Sequence, residues 1–290
     1  MLEELKIVRQ LEKLFPVGRD VLTGIGDDCA VLSVGGKILL AAADQVIENI
    51  HFTPETSPVA AGKKLLLRNV SDIAAMGGAP RWAILTVAVN GRDEQYVLDF
   101  CRGVAEAAAL FDVSVIGGDT ASLPAKGVVA TLTILGEAPP TGAVTRSGAK
   151  PGDYLYVTGR IGNSFLSGRH LDFMPRVAEG RFLAEHHLAS AMLDVSDGLL
   201  LDAARLAKAS QVDLLIEPEK VPLHADACAP QAWSDGEDYE LIFTSPEKLE
   251  KLEDEALVPV SCWGRCVSGS GRLLDRDGKP FQSERLGYEH

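Results

Sequence analysis

The sequence predicts an α/β (α+β) protein of two domains, with mixed sheets packed against helices. Three observations carry that prediction. Apolar runs of strand length alternate with longer stretches at helical spacing along most of the chain. Residues 136–152 interrupt this alternation with a segment rich in Gly, Pro and Thr. The 290 residues are 46% hydrophobic and 24% charged, enough for two ordinary cores and too apolar for general disorder. The expected domains are residues 1–138 and 139–290.

In the first half, an amphipathic helix is expected up to about Phe15, where charges alternate with Leu and Ile at helical spacing. A turn-rich segment from Gly18 to Asp28 ends in GIGDD. Ala30–Val34 and Lys37–Ala43 read as a hairpin around Gly35-Gly36. A long helix over about Pro58–Met76 stops at Gly77-Gly78-Ala79-Pro80. A strand over Trp82–Val89 and an Ala-rich helix over Glu94–Phe111 follow. Val113–Ile116 and Gly127–Leu135 read as strands flanking a GGDT turn. In the second half, strands are expected at Tyr154–Thr158, Val212–Ile216, Tyr239–Phe243 and Pro259–Trp263, with helices at Arg176–Ala189 and Gly198–Ala209.

Charge and composition exclude several functions. A formal net charge of −13 argues against an extended nucleic-acid surface or attraction to an anionic membrane. No apolar run reaches the ~20 residues that cross a bilayer, and the N-terminal stretch lacks a signal-peptide core. The five cysteines (Cys29, Cys101, Cys228, Cys262 and Cys266) form no zinc pattern and suit a reducing cytoplasm.

The informative pattern is a series of acids at the edges of apolar elements. Asp27-Asp28 follow GIG, Asp44 closes KILLAAAD, and Asp72 sits inside LLLRNVSDIAAM with apolar residues on both sides. Asp119 follows VSVIGG, while Asp194, Asp197 and Asp202 recur in LDVSDGLLLDAA. Ionised carboxylates in such company are costly unless paired or bound to cations, and oxygen-only ligands suit Mg²⁺. Singly, each is also readable as a cap or a surface charge. The glycines of GIGDD and VIGGDT permit close approach of backbone N–H groups to phosphate, although Walker A and GxGxxG sequences are absent.

Other candidates stay open on the residues alone. Arg146 and Lys150 in RSGAKPGD, and Arg176, read either as phosphate contacts or as solvated basic residues. Lys63 and Lys64 read as exposed helix positions. His51-Phe52 reads as a ring-stacking or a packed structural pair, and Ser196 as a turn or capping hydroxyl.

The blocks GIGDDCAVL, DQVIENIHF, NVSDIAAMGGAPRWA, VIGGDTA, RSGAKPGDYLYVTG, LDVSDGL and GEDYELIFT, with a GYEH ending, together resemble thiamine-monophosphate kinases. That family sits within the wider aminoimidazole-ribonucleotide-synthetase-like group of ATP enzymes. The resemblance implies ATP- and Mg²⁺-dependent phosphorylation of thiamine monophosphate by a cytoplasmic homodimer. Its N-terminal domain would bind ATP and Mg²⁺ and carry the dimer contact, and its shortened C-terminal domain would serve the acceptor. It further implies Asp27, Asp44, Asp72, Asp119 and Asp197 as metal ligands, and Gly117, Gly118, Asp119, Arg146 and Lys150 on the nucleotide side. Catalysis would fall to Asp27, Asp72, Asp119, Arg146 and Asp197. The substrate side would hold His51, Phe52, Ser196, Glu237, Asp238 and Tyr288.

This chain departs from the family at several places. Ala42-Ala43 stand where a Ser/Thr pair is usual, Gln45 replaces Thr, and Asn163 replaces a common Asp. The stretches 162–170 and 222–236 are contracted, both on the expected acceptor side. A related kinase or synthetase with a changed acceptor, and a nucleotide-binding protein without turnover, are the competing readings.

Overall fold

The computed structural model describes residues 4–252, 254 and 256–288. Glu289 and His290 of the GYEH ending lie outside them. The first half runs α1 (Glu4–Leu14), β1 (Val21–Thr23), β2 (Ala30–Val34), β3 (Lys37–Ile47), α2 (Pro58–Ala75), β4 (Ala79–Asn90), α3 (Glu94–Leu110), β5 (Ser114–Ser122) and β6 (Gly127–Glu137). The second runs β7 (Tyr154–Thr158), α4 (Ser164–Ser167), α5 (Val177–Glu185), β8 (Ala191–Asp194), α6 (Leu199–Ser210), β9 (Val212–Ile216), β10 (Leu241–Ser245), β11 (Val260–Ser268) and β12 (Leu273–Leu274). A 3₁₀ turn at Arg169–Leu171 follows α4.

Each half contributes one six-stranded sheet. The first has the order β1-β2-β3-β6-β4-β5, antiparallel except for the β4–β5 pair. The second has the order β12-β9-β11-β7-β10-β8, antiparallel except for β12–β9. The mixed sheets expected from the alternating pattern are therefore present. Each sheet has its own apolar core, one around Leu66, Val70, Phe100 and Leu132, the other around Leu193, Leu199, Leu214 and Trp263.

The short elements β1, α4 and β12 were not expected from the sequence, and three further differences bear on the site. Asp44 lies within β3, which continues to Ile47, and does not end it. GGDT is part of the edge strand β5 and forms no turn, because Ile84–Val89 of β4 pair in parallel with Gly117–Ser122. The short strand β8, ending at Asp194, was absent from that reading because its four apolar-flanked residues carry little period of their own.

The helix α2 holds the two halves together. Ser57 caps it by accepting from the Ala60 N–H, and Pro58 supplies a preset φ in the first turn. Helical spacing survives in α2 although most of its residues are buried, because it packs against α3 and β3 on one side and α5 and β8 on the other. Ser71 Oγ donates to Asp194 Oδ2 at 2.5 Å, joining α2 directly to the second sheet.

The end of α2 requires glycine. Gly77 takes φ 71°, its N–H bonds the Ala74 carbonyl at 2.9 Å, and the Gly78 N–H bonds the Ile73 carbonyl at 2.9 Å. A Cβ on Gly77 would stand 2.5 Å from Cβ of Ala184 in α5. Gly77→Val is therefore expected to destabilise the protein by about 2 kcal/mol or more, combining left-handed strain with a backbone-to-helix clash. The urea midpoint of the purified variant measures it, and an unchanged midpoint would contradict this account of the α2–α5 junction.

Candidate active site

The acids meet where the two sheets face each other across α2. Oxygens of Asp28, Asp72 and Asp194 all lie within 4.8 Å of one another. Asp28 comes from the loop before β2, Asp72 from α2 and Asp194 from the end of β8. A cavity of about 300 Å³ opens over them, lined also by Asp27, Asp44, Asp197, Arg68, Arg146 and Arg205.

So many like charges in one buried place perturb each other. Burial, reinforced by Asp44, Asp194 and Asp28, pushes the Asp72 carboxyl well above the usual carboxylate range. Burial and the charge of Asp28 do the same to Asp194. Asp27 is pushed up to about 6 by burial and by Asp28. Three close carboxylates with oxygen-only ligands fit a hard divalent cation such as Mg²⁺, which would remove the repulsion that raises them. Asp28, Asp72 and Asp194 are the residues placed to hold it.

Arginines pair one acid of the cluster and the acids around it. Arg146 grips Asp28 with two bonds, of 3.2 and 2.7 Å, and its backbone N–H donates to Asp27. Arg68 donates to Asp44 Oδ2 at 2.7 Å and to the Gln45 carbonyl. Arg205 bonds both Asp197 and Asp202. Asp202 in turn accepts the backbone N–H groups of Ser196, Asp197 and Gly198, which fixes the loop leading into α6. These arginines give anionic ligands three cationic contacts at the rim.

A second cavity of about 320 Å³ adjoins the first, sharing Arg68, Ser196, Asp197 and Tyr239 with it. Its remaining walls are Ile50, His51, Phe165, Asp235, Glu237 and Tyr288. The Tyr239 ring stacks on Phe173 at 3.9 Å between centroids. Its buried hydroxyl has no hydrogen-bond partner among the described residues, leaving it for a ligand. Glu237 and Tyr239 both adopt left-handed backbone, with φ of 56° and 52°. Two such residues within one loop store strain at the cavity wall.

The structure thus brings together much of the expected set. Asp27, Asp44, Asp72, Asp197 and Arg146 line the acid cavity, and His51, Ser196, Glu237 and Tyr288 line the aromatic one. Phe52 does not: it is 1% exposed and belongs to the first core, as its apolar ring favours. Asp238 is half-buried and does not line the second cavity; its Oδ1 accepts the Gly162 N–H. Lys150 is exposed in the turn before β7, and Arg176 is consumed by a two-bond pair with Glu240.

Asp119, Gly117 and Gly118 lie on β5, away from the cluster. The register runs Asp44–Leu132–Leu85–Gly118 across the sheet, so Gly118 is about 14 Å from Asp44 at three strand spacings. Gly118 is needed for packing, since a Cβ there would meet the Leu85 carbonyl at 1.7 Å. Within one chain Asp119 therefore cannot share a cation with Asp72.

Sequence reasoning missed Arg68 and misread Lys64. Lys64 is fully buried, although its neighbour Lys63 keeps a partly exposed position. Asp28 and Asp194 were visible as acids beside apolar runs but were not separated from their neighbours as cluster members. Only the folded geometry distinguishes Asp28 from the adjacent Asp27.

Comparison with known proteins gives concordant matches. Residues 26–138 match the family model described as AIR synthase related protein, N-terminal domain. The thiamine-monophosphate kinase of Escherichia coli strain K12 is 36% identical over 98% of this chain and 96% of its own length. The solved structure of AaThiL complexed with AMPPCP and TMP superposes with a TM-score of 0.82 at 29% identity, covering 100% of this chain and 97% of that one. The crystal structure of thiamine monophosphate kinase from Aquifex aeolicus gives a TM-score of 0.80 at 28% identity, over 98% of this chain and 100% of that one.

The raised carboxyls make a pH prediction. Asp27 at about 6, and Asp72 and Asp194, both raised well above the usual carboxylate range, hold protons that the unfolded chain has already released. Their stabilising contribution is full below about pH 4 and is lost as pH rises through 6 and beyond. In EDTA, Asp72→Asn is expected to melt above the wild type at pH 8, with the gap closing toward pH 5. Added Mg²⁺ is expected to stabilise the wild type and not the variant. Thermal melts across this range measure both effects.

Proposed function

The chain belongs to the thiamine-monophosphate kinase family, and on that premise we propose that it transfers the γ-phosphoryl group of ATP directly to thiamine monophosphate, with Mg²⁺ held by Asp28, Asp72 and Asp194. The observation that carries this reading is the junction of the two cavities. An arginine-rimmed acid chamber, suited to polyphosphate and cations, opens into an aromatic chamber edged by carboxylates, suited to a flat cationic heterocycle.

An oxygen of the acceptor phosphate attacks the γ-phosphorus while the bond to the β–γ bridging oxygen breaks, giving thiamine diphosphate and ADP. The second ionisation of a phosphate monoester lies near 6, so the attacking oxygen is already anionic and needs no strong base. Bound Mg²⁺ supplies charge neutralisation that lets the two anions approach. The chain's own contribution is alignment. Arg146 and Arg68 flank the acids and are placed to receive phosphate oxygens once cations relieve Asp28 and Asp44. Ser196, Asp197 and Tyr239, common to both chambers, mark where the acceptor's phosphate crosses from one to the other.

We further propose a homodimer in which a second copy covers the open face of the first sheet. On that face Trp82, Ile84, Thr86 and Ala88 align with Leu135, Thr133, Thr131 and Val129. Ile84, Val115 and Ile116 are exposed, and every residue of the edge strand β5 is exposed. Asp119 lies on the same face as Thr86, so its role as a metal ligand, with Gly117 and Gly118 beside it, would be played in the site of the second copy. Lys150 faces solvent and would reach only the outer end of a nucleotide. Five free cysteines and the absence, among the described residues, of a helix long and apolar enough to cross a membrane support a cytoplasmic enzyme.

Purified protein with ATP and thiamine monophosphate is expected to form thiamine diphosphate, followed by chromatography, and to stop in EDTA. Asp72→Asn and Asp194→Asn should each lower kcat by about 100-fold or more while the fold persists. ATP binding without thiamine diphosphate formation would sink the reading. Ile116→Glu is expected to convert the dimer to monomers, measured by light scattering during size exclusion. A dimer that persists in this variant would place the interface elsewhere.

A further inference from the structure

Lys64 has no part in the chemistry above, yet it is fully buried and held by four polar contacts. Its side chain is fully buried in α2, at the back of the aromatic cavity. The ammonium lies 2.5 Å from the His51 carbonyl and 2.8 and 2.6 Å from the two Glu237 oxygens. His170 Nδ1 lies 2.7 Å from the same nitrogen and 3.0 Å from Glu237 Oε2. The Phe165 ring stacks on His170 at 4.4 Å and covers the lysine at 5.7 Å.

Two facts about Glu237 make this arrangement directional. Its backbone is held in the left-handed region, with its N–H on the Ser196 carbonyl at 2.7 Å. Its carboxylate is partly exposed to the cavity, at 19%, while the lysine behind it has no exposure. Burial alone would raise this carboxyl, but the His170 hydrogen bond and the Lys64 charge outweigh it and keep Glu237 anionic. Burial draws the lysine itself down to about 8, so its proton is retained at neutral pH largely through Glu237. The remaining charge close to it is Arg68, one turn along α2.

We propose that Lys64 is a positioning residue that fixes Glu237 as an anionic wall of the acceptor pocket, so that the pocket selects a positively charged heterocycle over a neutral one of the same shape. The inference rests on reading this cavity as the acceptor pocket. His170 completes the support, so the 162–170 stretch contributes both the stacking ring and the second partner of Glu237. A lysine that only filled space would not need four polar contacts, three of them on residues of the cavity wall.

The test is a double-mutant cycle read by specificity. Acceptor KM, ATP KM and kcat are measured with thiamine monophosphate and with an isostere whose thiazolium is replaced by a neutral thiophene. Glu237→Gln is expected to raise the acceptor KM about tenfold and to reduce the preference for the charged acceptor by a similar factor. Lys64→Met should do the same, with ATP KM changed less than about twofold, and should add less than about twofold in the Glu237→Gln background. If Lys64→Met does not fold, His170→Leu enters the same cycle, with the same coupling to Glu237 expected. Additive effects, or equal loss of ATP and acceptor binding, would overturn the proposal. Wild-type protein that binds ATP but neither acceptor would instead overturn the reading of the pocket.

Discussion

Repulsion among buried carboxylates is the constraint that orders this molecule. Asp28, Asp72 and Asp194 arrive from a loop, a helix and a strand of different sheets, and nothing in their immediate shell neutralises all three. The surrounding architecture answers that repulsion. Arg146 comes from the segment between the sheets and pairs Asp28 of the cluster, while Arg68 from α2 and Arg205 from α6 pair Asp44 and Asp197 beside it. The Ser71–Asp194 bond and the Asp202 loop clamp bring the second sheet up to the first. Removing one of these arginines leaves its acid uncompensated, whereas removing one of the clustered acids relieves the others. A divalent cation held there, as proposed above, would remove the remaining repulsion and free the arginines for phosphate.

Much of this was legible in the sequence because acids inside apolar runs have few bland explanations. Asp72 stood out for that reason, and its neighbours in GIGDD and LDVSDG marked the other two walls. What was not legible follows from geometry that lacks local signal. Whether Asp27 or Asp28 turns inward depends on the loop's path, and Asp194 on a four-residue strand with no period. Lys64 read as exposed because lysine usually is, and its partners lie 106 and 173 residues away in the chain. GGDT read as a turn because glycine pairs usually are, whereas here Gly118 permits β5 to lie against Leu85. His51 and Phe52 were read together, yet one lines the cavity and the other enters the core, as alternate directions of adjacent side chains allow.

The 162–170 stretch, read from the sequence as contracted, serves the wall of the second cavity. It forms a four-residue helix and a 3₁₀ turn; Phe165 lines the aromatic cavity, and His170 stands behind it on Lys64 and Glu237. The acid chamber takes its residues from α2, β3, β8, α6, the loop entering α6 and the segments before β2 and β7. Strain at Glu237 and Tyr239 is confined to the segment that faces both chambers, where support from Lys64 and from β8 holds it.

Helix α2 has a consequence of a metrological kind. Lys64, Arg68 and Asp72 are spaced by four residues, so they stand on nearly the same face at steps of about 6 Å. The first backs the ring pocket, the second sits where the chambers meet, and the third belongs to the cation cluster. An α-helix buried on most sides barely stretches, so the separation between ring and phosphate sites is fixed by backbone pitch. The molecule measures its acceptor as well as recognising it: a tether of the wrong length misses one end of the ruler however well the ring fits.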